Sequence, residues 1–315
     1  MTTDNRESDN NIGRRKFLKS IFGLRAMIED SAEAEAKTSA KGKVIPPSAP
    51  VFIWGDLKNG NVGFPTGLNL GGGLPGSVMK LIAAAAMHEE GLINPNHIYE
   101  CSGHITMHDE TFNCLHAHGR VNLTHAIAKS CNVYFVQAAE KLSSAMFLQY
   151  AKRFGLDQPC ARRGKGAFPE KPVHPSYKYV LGLAEDLSPN SLQLMRIAAL
   201  VATKGDAPFF HSADDVEPGE RFKIELSEGT WHRLQQGMQL ACSEGTAIQL
   251  DPEHRLHTAA KTGTVPRGTK FTSWIIGYFP IDNPKNVFVL NSTAGTSQEA
   301  AVPQAHKFLY GTTWP

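Results

Sequence analysis

The sequence predicts a mixed α/β domain whose antiparallel sheet draws strands from both ends of the chain. Three observations carry that expectation. A β-rich run with a hairpin signal begins at Val51, a block of helical segments fills the middle, and short β-rich runs with a closing helix occupy the C-terminal part.

Taken in order, Val51-Phe52-Ile53-Trp54 is β-branched and aromatic, and Lys58-Asn59-Gly60-Asn61 carries the Asn-Gly pair of a tight hairpin. Leu74–Met87 reads as a helix, opened by Pro75 and Gly76, Ala-rich over Leu81–Met87, and followed closely by Gly91. Further helices are expected over His125–Lys141, Ser144–Phe154, Leu192–Thr203 and Thr230–Ala241. Arg255–Val265, Thr272–Phe279 and Asn286–Ser292 then read as strands, separated by Pro266, Gly268, Pro280 and Asn283. Their close spacing argues for antiparallel pairing, and Glu299–Tyr310 is the closing helix.

A chain of 315 residues can bury one large core and still carry a short extra segment. Its formal charge of +2 offers no electrostatic footprint for nucleic acid, which is excluded as a partner. No apolar run approaches the ~20 residues of a spanning helix, which excludes a polytopic membrane protein. We divide the chain into residues 1–44, an N-terminal signal and linker, and residues 45–315, the main domain. Within the first, Gly13-Arg14-Arg15-Lys16-Phe17-Leu18-Lys19 resembles a twin-arginine export signal, and Ala34-Glu35-Ala36 has the form signal peptidases accept. Arg25 and Glu29 interrupt the apolar stretch Ile21–Ile28 between them. The alternative is a solvated basic tail, or an amphipathic helix (Phe17, Leu18, Ile21, Leu24, Ile28) in contact with a membrane surface. Export places the protein in the periplasm or cell envelope.

Chemistry concentrates in three short motifs. Ser77-Val78-Met79-Lys80 opens the first helix, and residues three apart on a helix share a face, so the lysine amine reaches the serine hydroxyl. Burial lowers a lysine pKa until a neutral amine serves as base. Alone, S-x-x-K matches about once by chance in a chain this long. Ser130-Cys131-Asn132 is an S-x-N run, a pattern also met at Ser8-Asp9-Asn10 and Ser188-Pro189-Asn190. Lys261-Thr262-Gly263-Thr264 lies in the β-rich region, where a cation followed by hydroxyls can hold a carboxylate while the strand pairs with an extended peptide.

Together and in this order, the three motifs are the signature of penicillin-binding proteins and class A β-lactamases. The surrounding residues resemble the class B penicillin-binding proteins, the monofunctional cell-wall transpeptidases. Pro75-Gly76-Ser77, His118-Gly119, Ser130-Cys131-Asn132-Val133-Tyr134-Phe135, Ser188-Pro189-Asn190-Ser191-Leu192-Gln193-Leu194, Gly237-Met238, Glu244-Gly245-Thr246-Ala247 and Ser273-Trp274-Ile275-Ile276-Gly277-Tyr278 carry the likeness. The resemblance implies the penicillin-binding-protein/β-lactamase-like fold, an antiparallel sheet with helices on both sides. It implies that Ser77 forms an acyl-enzyme with peptidoglycan stem peptides ending in D-Ala-D-Ala, or with β-lactams, and that Lys80 takes its proton. Ser130 then relays a proton to the leaving amine, Asn132 holds the substrate amide, and Lys261 supports that relay. Thr262 and Thr264 meet the terminal carboxylate beside Gly263, and the N–H groups of Ser77 and Thr264 form the oxyanion hole. The long pedestal domain and membrane anchor usual in class B proteins are not legible before Ser77. The alternatives are a β-lactamase, a β-lactam-sensing domain and a non-catalytic scaffold. A β-lactamase needs a device that activates water, and Glu185 with Asn190 has only a loosely suitable spacing.

The catalytic chemistry needs no cofactor, but a structural metal is suggested. Cys101, Cys114, His118 and Cys131 are separated by twelve, three and twelve residues, and three thiolates with one imidazole make a closed tetrahedral zinc site. That spacing is not one of an ordinary zinc finger. By the same resemblance, certain elongation-type class B proteins bind zinc in this region through Asp, His and Cys. Here His118 and Cys131 match two of those ligands, and Cys101 and Cys114 stand where acidic ligands would. A Cys101–Cys114 disulfide and a simply buried Cys131 are the competing readings.

Overall fold

The computed structural model describes residues 49–66, 70–160, 164–211 and 220–314. The twin-arginine run, the Ala-Glu-Ala motif and the linker lie outside them. Along the described chain, β1 (Val51–Asp56) and β2 (Val62–Gly63) come first, and a 3-10 turn, Gly76–Met79, runs into α1 (Lys80–Glu89). Four short strands, β3 (Tyr99–Cys101), β4 (His104–Met107), β5 (Glu110–Asn113) and β6 (Gly119–Val121), precede α2 (Leu123–Ala128) and α3 (Asn132–Ala139). Then come α4 (Ser144–Arg153), α5 (Ser176–Leu181), α6 (Ser191–Ala202), β7 (Asp206–Pro208), β8 (Arg221–Lys223) and α7 (Glu228–Ser243). The chain finishes with β9 (Ala259–Arg267), β10 (Lys270–Phe279), β11 (Asn286–Ser292), a π-helical turn at Ser297–Ala301 and α8 (Val302–Gly311).

The main sheet has the order β2-β1-β11-β10-β9, antiparallel throughout. As expected, its strands come from both ends of the domain, with Val51 opposite Asn291. Successive side chains on a strand point to opposite faces, and both faces here are buried. Ile53, Trp274, Ile276, Val287 and Val289 enter the larger core together with α1 and α6. Phe52, Ile275, Phe288 and Leu290 enter a second core with Val302, Ala305 and Leu309 of the closing helix. Helices therefore cover both sides.

Burial explains the composition of the central helices. From Lys80 to Met87 every residue of α1 is buried, which suits its alanines and an apolar circumference without a polar face. All of α6 is buried against β10 and β11, and a capping box between Asn190 and Gln193 satisfies its first turn. Among the described residues no helix is long and apolar enough to cross a membrane.

Two expectations need correction. The single helix read over His125–Lys141 is two helices, because Ser130 adopts a left-handed φ of 53° between α2 and α3. Helical periodicity continues across the break and hides it. The strand read from Arg255 begins instead at Ala259, because the buried Asp251 carboxylate gathers the N–H groups of Arg255, Leu256 and Thr258 into a loop.

Candidate active site

The nucleophile turn is built on close backbone approaches. Gly76 has φ 56°, and its N–H donates to Gly182 O at 3.1 Å. Gly182 itself ends α5 in the left-handed region at φ 69°, and a Cβ there would lie 2.1 Å from Gly76 O. On the other side β9 lies flat on the turn. A Cβ on Gly263 would lie 2.7 Å from Pro75 O and 3.5 Å from Ser77 N, and one on Gly76 would lie 3.3 Å from Thr264 N. Glycine at these positions is thus a requirement of packing, and it brings the amides of Ser77 and Thr264 into one corner. Ser77 is half-buried in the 3-10 turn, three residues before Lys80.

Lys80 and Lys261 are both fully buried, and they meet at Ser130. The Lys80 amine donates to Ser130 O at 2.8 Å and to Asn132 Oδ1 at 2.5 Å. A neutral amine has two N–H bonds and one lone pair, so these two acceptors leave the lone pair for an incoming proton. Burial lowers the Lys80 pKa to about 8, against the upward pull of Cys114 and Cys131. The Phe135 ring centroid lies 5.5 Å from the same amine. Lys261 donates to Ser130 Oγ at 2.9 Å and to Thr262 O at 2.8 Å. Its pKa is held well below the ordinary lysine value by burial and then by Lys80. Because Ser130 Oγ accepts from Lys261, its own proton is available in another direction. The left-handed backbone of Ser130 presents its carbonyl to one lysine and its hydroxyl to the other, a strained geometry of the kind found at reactive sites. Asn132 is half-buried, and its amide is fixed by donation to Asn113 O at 2.6 Å.

The hydroxyls of β9 have partners that sequence reasoning did not assign. Thr262 is buried and shares a 2.6 Å hydrogen bond with Thr246. Thr264 is half-buried and bonded to Ser297, which no motif singled out. As the sheet's terminal strand, β9 keeps one backbone edge outside the main ladder. Asn190 serves as the N-cap of α6, and Glu185 is exposed.

Beside this network lies the sulphur cluster. Cys101 ends β3, Cys114 follows β5, His118 precedes β6 and Cys131 caps α3. Their ligand atoms all lie within 4.8 Å of one another. The Sγ atoms of Cys114 stand 3.8 Å from Cys101 and 3.9 Å from Cys131, and Cys101 Sγ is 3.4 Å from His118 Nδ1. Zn–S bonds of ~2.3 Å in a tetrahedron put sulphurs about 3.8 Å apart, whereas a disulfide needs about 2.05 Å. His118 Nε2 is buried without a partner. The first turn of α3 donates to the sulphurs, Asn132 N to Cys114 at 3.2 Å and Tyr134 N to Cys131 at 3.4 Å, which favours thiolate. The contact with Cys131 and the nearby His118 hold the Cys114 thiol well below its ordinary pKa, while the same contact and burial push Cys131 up.

Residues 74–310 match the model of the penicillin binding protein transpeptidase domain, and the chain belongs to that family. The likeness carried by the three motifs is therefore borne out. The chain is 26% identical over 149 residues to penicillin-binding protein PbpB of Mycobacterium tuberculosis, an alignment spanning 47% of this chain and 21% of PbpB. With stage V sporulation protein D of Bacillus subtilis it shares 24% identity over 254 residues, 71% of this chain and 39% of that protein. It thus spans well under half the length of either relative. Penicillin-binding protein PBP2 from Helicobacter pylori superposes with a TM-score of 0.70 at 18% identity, over 84% of this chain and 60% of that one, a likeness of fold.

Proposed function

We propose that this protein is a peptidoglycan D,D-transpeptidase that works through an acyl-serine at Ser77 and is acylated there by penicillins. One observation carries the reading most directly: Ser130 is bonded through its carbonyl to Lys80 and through its hydroxyl to Lys261. Ser77 Oγ attacks the carbonyl carbon of the penultimate D-Ala while its proton passes to the Lys80 lone pair. The oxyanion forms in the corner shared by the Ser77 and Thr264 amides, where fixed donors stabilise developing charge. As the C–N bond breaks, Ser130 gives its proton to the leaving D-Ala nitrogen and is reprotonated from Lys80. An amine of a second stem peptide then attacks the ester and regenerates Ser77. With water as acceptor the same steps give a D,D-carboxypeptidase. The outer edge of β9 is suited to pair with the extended stem peptide.

Such a reaction belongs outside the cytoplasm, in the periplasm or cell envelope, and the twin-arginine run is the proposed route of export. Cys101, Cys114, His118 and Cys131 fit a structural zinc ion in number, distance and donor chemistry. Bound there, zinc supplies a cross-link between the small strands and the first turn of α3 and takes no part in acyl transfer. Intact-mass measurement after incubation with a penicillin tests the main reading. A single adduct on the wild type and none on Ser77→Ala is expected. A folded, metal-replete wild type without an adduct would overturn it in favour of a scaffold role.

A further inference from the structure

Thr264 is expected to meet the substrate carboxylate, but its hydroxyl is already engaged from behind. Ser297 N donates to Thr264 Oγ1 at 2.9 Å, and Thr264 Oγ1 donates to Ser297 Oγ at 3.0 Å. Ser297 Oγ in turn donates to Gln298 Oε1 at 3.1 Å. The three groups form a directed chain that ends at a half-buried amide. Ser297 is only 3% exposed, so it is placed to act through Thr264 and not on the substrate itself.

Its placement is over-determined. Ser297 opens the π-helical turn at Ser297–Ala301, and such turns recur at functional sites. A capping box fixes the entry to the turn: Thr296 Oγ1 accepts from Glu299 N at 3.3 Å, and Glu299 Oε2 accepts from Thr296 N at 3.1 Å. The turn packs on β9 and β10, directly behind the strand that borders the nucleophile. The amide of Ser297, which donates, and its hydroxyl, which accepts, therefore both face one oxygen on Thr264.

We infer that Ser297 is a positioning residue for carboxylate recognition, a hydroxyl relay that sets the direction and strength of the Thr264 donor. At rest the chain points away from the substrate, from Thr264 to Ser297 to Gln298. When a carboxylate arrives, Thr264 turns its proton to the anion, and Ser297 turns its own from Gln298 to the Thr264 oxygen. No bond to carbon changes and no proton leaves its oxygen; two O–H groups rotate. Water takes the place of Ser297 at the half-buried Gln298 oxygen. A donor that itself accepts hydrogen bonds is polarised and donates more strongly. The Ser297 amide holds the oxygen in place in both arrangements.

This inference rests on the acyl-serine reading, and the test keeps the two apart. Second-order acylation rates are measured with a penicillin and with its carboxyl methyl ester, and the acid/ester ratio is compared among variants. The ratio is taken within one preparation, so it is insensitive to the active fraction. Wild type favours the acid. Ser297→Ala is expected to lower the ratio roughly five- to tenfold, the scale of one hydrogen bond, while Ser297→Thr, which keeps the hydroxyl, restores it. Thr264→Val lowers the ratio further, and adding Ser297→Ala to it is expected to cause no additional loss, because the relay has no other outlet. An unchanged ratio in Ser297→Ala would overturn the inference, as would a double variant whose loss is the product of the two single losses. A wild type that forms no adduct with either compound would remove the acyl-serine reading and this inference with it.

Discussion

Lys80 shows how burial sets both the chemistry and its cost. With a pKa near 8, the amine is mostly charged at neutral pH and becomes competent as pH rises. The groups that face it are Lys261, Cys114 and Cys131, and burial outweighs all of them. Acylation by a penicillin is expected to rise about tenfold per pH unit below pH 8 and to level off above it, a profile that stopped-flow acylation rates check. Stability moves in the same direction. The unfolded lysine binds its proton up to about 10.5 and the folded one only to about 8, so the folded state holds fewer protons between these values. The penalty is fully present below pH 8, on the order of 3 kcal/mol, and is relieved as pH rises toward 10.5. Lys80→Met is therefore expected to be more stable than wild type in neutral-pH denaturant titrations while forming no adduct.

At the scale of elements, the site depends on two helix ends. The C-terminus of α5 supports the nucleophile turn through Gly182, whose φ of 69° and contact with Gly76 leave no room for a side chain. Gly182→Ala is expected to cost at least about 1–2 kcal/mol from backbone strain alone. It should also slow acylation by displacing the turn, measured as a lower unfolding midpoint together with a reduced acylation rate. The N-terminus of α3 carries Asn132 and rests on Cys114 and Cys131. If zinc fills this cluster, freshly purified protein holds about one zinc per chain. Cys114→Ser then loses most of the metal, lowers the melting temperature and weakens acylation, because Asn132 N loses its sulphur partner. Re-addition of zinc to chelator-treated wild type restores its melting temperature. Substoichiometric zinc in the untreated wild type would rule this out. These supports were only partly legible. The S-x-N motif drew attention to Ser130 and Asn132, but the break at Ser130 was masked by helical periodicity on both sides. Gly182 gave no signal at all, because a close backbone approach leaves no pattern in one sequence.

Across the whole molecule, what could be read were the parts whose physics is periodic or local: the two-ended sheet, the buried alanine helix and the K-T-G strand. What could not be read were partners set by tertiary contact. Thr246 behind Thr262, Ser297 behind Thr264 and Asn113 behind Asn132 are polar residues in turns or strand ends, and only the folded backbone brings them to the motifs. The strands β3 to β6 escaped notice because, at three or four residues each, they are too short for a period of two to stand out. The order of the main sheet has one more consequence. β9 carries Lys261 and Thr264, yet its neighbour in the main sheet is β10 alone, which rests on β11, which rests on β1. The β9–β10–β11 meander is local in sequence, but β1 is far from β11 and Lys261 lies 131 residues from Ser130. Contacts of such separation form late, because their loop entropy is lost before contacts repay it. Ser77 in the 3-10 turn and Lys80 at the start of α1 can be in place well before Lys261 reaches Ser130. On the proposed acyl-serine reading, a growing or partly folded chain is thus chemically silent, and reactivity switches on only when the last strands close the sheet.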